Sequence, residues 1–147
     1  MADNLSIARR LYDGWNERAF EEIADYTTDD SELVVVGTGD VFKGREGALK
    51  YNQNWADGFP DGRITVDNMV ASGDTVVVEF SGHGTHTGTL QTSMGDIPAT
   101  GKSLTLHLCD VLEFRDGKIV RQRSYFDTGS LMAQLGLLPE QAATSEQ

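Results

Sequence analysis

The sequence predicts an α+β domain in which three N-terminal helices pack in the concave face of a curved, mostly antiparallel sheet. Two observations carry that expectation. Apolar residues recur at helical spacing as far as Pro60, and from Arg63 onward they alternate with period two. A third follows from them: so few helices cannot cover both faces of such long strands, so the sheet wraps around them and keeps a concave side that is part core and part cavity.

Taken in order, Asn4 or Ser6 caps a first helix whose apolar positions Ile7, Leu11 and Trp15 fall four apart, with Ala8 widening the stripe; it ends near Asn16. A short second helix spans Phe20–Tyr26 with Ile23 inward, and Thr27-Thr28-Asp29-Asp30 breaks it before a β-rich run at Leu33–Val36. Gly44 opens a third helix that sets Ala48, Tyr51 and Trp55 on one face and closes at Gly58 and Pro60. Strands follow at Ile64–Val70, Thr75–Phe80 extending toward Gly88, Ser103–Phe114 and Ile119–Phe126, with turns at Gly73-Asp74 and Arg115-Asp116-Gly117. The expected domain covers residues 1–139, with residues 140–147 a small, polar tail.

The chain has 147 residues, 39% of them hydrophobic and 24% charged, which is the range of one ordinary globular domain. Twelve basic against 23 acidic residues give a net charge of −11, which repels nucleic acid and anionic membranes. A single cysteine, Cys109, excludes an intrachain disulfide, and Met1–Ser6 lack the basic-then-apolar start of a signal peptide. No window approaches the ~18 apolar residues of a membrane helix. A cytoplasmic protein with no nucleic-acid or membrane partner is expected.

Several segments, none specific alone, together carry a family resemblance: Arg10-Leu-Tyr-Asp-Gly-Trp-Asn16, Phe59-Pro-Asp61, Gly84-Thr-His-Thr-Gly88, Pro98-Ala-Thr-Gly-Lys102, Asp116-Gly-Lys-Ile119, Tyr125-Phe-Asp127 and Gln134-Leu-Gly136. With the order of elements, they make nearly the whole chain resemble the SnoaL-like polyketide cyclases of the nuclear-transport-factor-like superfamily, which includes ketosteroid isomerase and limonene epoxide hydrolase. The resemblance implies a cone-shaped fold. For activity it implies less, since that superfamily performs several chemistries, and plain binding, on one scaffold.

The last hairpin admits two registers. A two-residue Asp116-Gly117 turn sets Leu106 opposite Asp127 and Leu112 opposite Arg121, mixing apolar with charged. A three-residue loop with Gly117 in a left-handed bulge position pairs Leu106 with Phe126, Leu108 with Ser124, Asp110 with Gln122 and Leu112 with Val120, and the faces separate. The second is the expected one. It puts Leu104, Leu106, Leu108, Asp110, Leu112, Val120, Gln122, Ser124 and Phe126 toward the helices. His107, Cys109, Arg123, Tyr125 and Asp127 then lie on the outer face, read as a dimer surface or a solvated network.

Asp110, a carboxylate among leucines, is the first catalytic candidate, because burial favours its neutral, donating form; satisfaction by Gln122 and water is the structural alternative. The resemblance implies a protonated aspartic acid at this position in ketosteroid isomerase. It also implies an aspartate where this chain has Ser124, and a general base near Val34–Val36, where it has valines. His86, even-numbered like Val76, Val78 and Phe80, is the second candidate, as a base; a bulge among its flanking glycines would leave it structural.

Asn52, Gln122 and Ser124 are the expected substrate-positioning groups, Tyr12 reaches the cavity mouth, and Trp55 and Phe126 add apolar wall. No metal is expected, since His83 and His86 point to opposite faces of a strand, and no phosphate-binding loop suggests a nucleotide. The resulting expectation is a homodimeric, cofactor-free enzyme moving a proton beside the carbonyl of a hydrophobic small molecule. Its rival is a binding or assembly domain that lost its carboxylate.

Overall fold

Asp3, ahead of both expected caps, closes the N-terminus of α1 (Asn4–Asn16): its carboxylate accepts the Ser6 backbone N–H at 2.8 Å. In this computed structural model, which describes residues 3–93 and 95–138, Ile7, Ala8 and Tyr12 are the buried side chains of α1, and Leu11 and Trp15 are half-buried beside them. The stripe is therefore rotated toward Tyr12. Residues 139–147, most of which form the expected tail, lie outside the described residues.

α2 (Phe20–Ala24) ends two residues early because the Tyr26 carbonyl already accepts the Ile119 N–H, and β1 (Thr27–Val35) begins at once. The expected breaker Thr27–Asp30 is thus strand. Thr27 pairs with Ile119 and Glu32 with Arg121, and the register shift between them leaves Asp29 and Asp30 in solvent, so pairing on either side carries these poor strand formers through. β2 (Asp40–Lys43), not signalled by the sequence, pairs antiparallel with β1 and leads into α3 (Gly44–Gly58). Gly44 has φ 67°, and a Cβ there would lie 2.9 Å from the Asp29 carbonyl oxygen.

β3 (Arg63–Ser72) and β4 (Thr75–Thr85) form a hairpin, followed by a small unpredicted ribbon of β5 (Leu90–Thr92) and β6 (Gly95–Ile97). β7 (Ser103–Arg115) and β8 (Lys118–Phe126) complete a six-stranded sheet in the order β2-β1-β8-β7-β4-β3, antiparallel except where β1 meets β8. α1 rests on β3 and β4, and α3 on β1 and β2. The core between them joins Ile7, Ala8 and Tyr12 to Val76, Val78, Phe80, Leu112, Phe114 and Ile119. No helix among the described residues is long and apolar enough to cross a membrane.

The β7–β8 register corrects the expected one. Arg115 pairs with Lys118 across a two-residue turn in which Asp116 and Gly117 have φ of 52° and 79°, and a shift then leaves Val120 unpaired. Beyond it Leu112 faces Gln122, Asp110 faces Ser124 and Leu108 faces Phe126. Each partner lies two residues from its expected place, an even step that preserves which face each side chain shares. Only Val120 changes sides, and Ile119 fills the core position instead.

Asp127 is a second correction: it leaves the sheet and caps α4 (Thr128–Gln134), a helix the sequence reading lacks, accepting the Ser130 N–H at 3.1 Å. Leu131 and Leu135 then close the core over Leu104 and Leu106.

Candidate functional site

Between α1, α3 and the concave sheet lies a cavity of about 120 Å³. Trp15, Trp55, Phe59 and Phe80 supply aromatic wall, and the exposed residues Arg63 and His83 mark where the lining reaches the surface. Its polar groups include Asp110, Gln122 and Asn52.

Asp110 is 3% exposed. Its Oδ2 accepts the Tyr12 hydroxyl at 2.7 Å and the Gln122 amide at 3.2 Å, while Oδ1 makes no hydrogen bond. Desolvation pushes the carboxyl up to about 6, and Tyr12, Ser124 and Gln122 pull against that by favouring the anion. At pH 7 the carboxylate form therefore predominates. Burial, together with the adjacent Asp110 charge, holds the Tyr12 phenol far above its ordinary value, so it stays a donor.

Tyr12 lies deep in the core rather than at the cavity mouth, against Phe80 with ring centroids 5.0 Å apart. Asn52 lines the cavity half-buried, and its side-chain amide has no hydrogen-bond partner among the described residues. Gln122 and Trp55 also line it; Ser124 and Phe126 do not. Ser124 is 1% exposed, behind the lining, and accepts the Tyr51 hydroxyl at 3.3 Å. Phe126 braces Trp55 edge-on at 5.7 Å.

His86 is inward but away from the cavity. Strand β4 stops at Thr85, and His86 stacks on the far side of Phe59 with centroids 5.2 Å apart. Its Nδ1 lies 2.9 Å from Thr100 Oγ1 and accepts the Thr100 backbone N–H at 3.2 Å, and burial lowers its proton affinity. Alternation places the side chain on the correct side of the sheet, and the end of the strand carries it past the cavity. On the outer face His107 meets Ser81 through Nδ1 at 3.2 Å, and Arg123 pairs with Glu113.

Sequence reasoning sets Tyr51 inward but misses its polar role; a buried phenol needs a hydrogen-bond partner, and that need is the signal for it. Tyr51 is pushed up to about 12, chiefly by burial. Among the described residues, no three His, Cys, Asp or Glu side chains gather as a metal site requires.

Comparison with known proteins agrees with this architecture. No protein of curated function matches the sequence. Among solved structures, a candidate SnoaL-like polyketide cyclase from Jannaschia sp. CCS1 superposes with a TM-score of 0.79 at 21% identity, covering 92% of this chain and 93% of that one. AclR, a candidate hydroxylase from Streptomyces galilaeus, gives 0.77 at 24% identity, covering 95% and 99%. IdmH, a candidate polyketide cyclase from Streptomyces antibioticus, gives 0.73 at 27%, covering 92% and 99%. A sequence model of the SnoaL-like polyketide cyclases matches residues 6–135, and on that match the chain belongs to the SnoaL-like polyketide cyclase family.

Proposed function

We propose that this chain is a cofactor-free acid–base enzyme that moves a proton at the carbon beside a carbonyl, in the manner of a cyclase or isomerase, on a hydrophobic small molecule. The observation that carries the reading is Asp110: a buried carboxylate with one unpaired oxygen in an apolar cavity, its pKa close to neutral. Oδ1 takes the proton, the C–H electron pair passes into an enolate, and the Asn52 amide donates to the enolate oxygen. Protonated Asp110 then returns its proton to carbon, or to the alkoxide formed when the enolate carbon attacks a second carbonyl. Tyr12 and Gln122 hold Oδ2. His86 has no part in this scheme, and Ser124 and Phe126 act from behind the lining.

A cavity of about 120 Å³ admits a single ring, to judge by the benzene bound in an apolar cavity of similar size, and lies below the ~300 Å³ at which drug-sized pockets begin. One ring of the substrate enters, and the rest stays at the opening. The names of IdmH and of the Jannaschia protein favour a polyketide as that substrate. Cytoplasmic action, consistent with a lone cysteine, belongs to the same reading.

The convex sheet face supports a homodimer. Val77, Val111 and Val34 cross it in one row with Arg123, and Tyr125 and Val36 stand 41% and 42% exposed nearby.

The test is solvent-deuterium exchange at the α-carbon of cyclohexanone at pH 7, followed by proton NMR. The expected result is exchange well above the buffer rate that falls about 100-fold or more in Asp110→Asn. Binding of the ketone with no exchange above buffer would favour a ligand-binding domain.

A further inference from the structure

Ser124 stands where the family resemblance implies a carboxylate, and its surroundings give it a task. It is 1% exposed, pairs directly with Asp110 across the ladder, and accepts the Tyr51 hydroxyl at 3.3 Å. An ionised carboxylate only accepts. With the Tyr51 hydroxyl donating to the Ser124 oxygen and the Asp110 carboxylate directly across the ladder, the Ser124 proton is the one left to point toward Asp110.

We infer that Tyr51 and Ser124 are positioning residues, a buried hydroxyl relay that directs a proton at the Asp110 carboxylate and keeps it an anion ready to accept. The relay approaches from β8 and α3, the side away from Tyr12 on α1. Oδ1 makes no hydrogen bond, to Ser124 or to any other group, so one acceptor site of the carboxylate is left over. The groups facing Asp110 are Tyr12 from α1, Tyr51 from α3, Ser124 and Gln122 from β8, and apolar Val78 from β4; none carries a charge at neutral pH. Only hydroxyl and amide dipoles therefore oppose the desolvation of the carboxylate: Tyr12 and Gln122 through direct hydrogen bonds, and Ser124 from its place across the ladder.

The inference rests on Asp110 being the proton carrier, and its test separates the two. Carbon-13 carboxyl NMR follows the Asp110 titration in the whole chain without substrate. The wild-type midpoint is expected near 6. Ser124→Ala should raise it by about one unit, Ser124→Thr should restore it, and Tyr51→Phe should raise it by less. A folded Ser124→Ala chain with the wild-type midpoint would overturn the relay. If Ser124→Ala does not fold, Tyr51→Phe, which keeps its bulk, decides by the same reading. Where exchange of the ketone proton is measurable, its pH profile should move with the midpoint. A moved midpoint with no exchange in any variant supports the relay and overturns the enzymatic reading.

Discussion

Ser124 and Asp110 are direct partners across the β7–β8 ladder, both almost fully buried, although the sequence pattern sets them diagonally. Pairs of this kind bring Cβ atoms within about 5 Å, close enough for a substitution at one to govern the charge of the other. Ser124→Asp should therefore place two carboxyl groups in one dry site, where one must keep its proton. Raised carboxyl values mean that the folded chain holds protons the unfolded chain has released. The variant should lose stability relative to wild type as pH rises from 4 to 8, by urea unfolding. Equal curves would show that position 124 is not buried beside Asp110.

Asp110 itself makes stability depend on pH. A carboxyl at about 6 in the fold, against 3.8 when exposed, is destabilising by about 3 kcal/mol once both states are ionised. Its contribution is most favourable below about pH 4, falls between 4 and 6, and is flat above. Asp110→Asn should abolish that fall, so the difference between variant and wild-type unfolding free energies should grow across this window. Parallel curves would mean an ordinary, hydrated carboxyl.

Tyr12→Phe removes a donor to a buried anion, a loss of about 1.5–3 kcal/mol. Because the bond favours the charged carboxylate, the loss should be larger at pH 8 than at pH 5, and the Asp110 midpoint should rise. A destabilisation independent of pH would assign Tyr12 to packing alone.

Gly88→Ala tests the join between the ribbon and α3. A Cβ at Gly88 would sit 1.9 Å from the Asp57 carbonyl oxygen, backbone that must move to admit it. The expected cost is about 1–3 kcal/mol, seen as a lower melting temperature. An unchanged melting temperature would mean that this turn is soft.

If the convex face joins two copies, sedimentation at micromolar concentration should show a dimer, and Val111→Glu, which sets a charge in the row with Val77, should give monomers. A wild-type monomer would return that face to solvent.

Helices α1 and α3 and the long strands were legible because each carries a strong periodic signal, and α2 only from its inward Ile23 ahead of a polar break. The other short elements were not. β2 and the β5–β6 ribbon have four and three residues per strand, too few for a period, and α4 is announced only by the Asp127 cap. Asp110 was legible as a charged residue on an apolar face. His86 shows the limit: alternation assigns a side, while only the end of β4 and the Phe59 ring decide which part of the interior it meets.

The unpaired Val120 acts on the hairpin as a check digit acts on a number. Strand faces depend on whether an offset is odd or even. The Asp116-Gly117 turn alone would set an odd offset, which turns Arg121, Arg123 and Tyr125 toward the helices, and one surplus residue makes it even again. Deleting Val120 would remove no chemical group from the cavity, yet would carry Gln122 and Ser124 to the opposite side of the sheet. The count of residues between Gly117 and Gln122 therefore matters more to the cavity than their kinds.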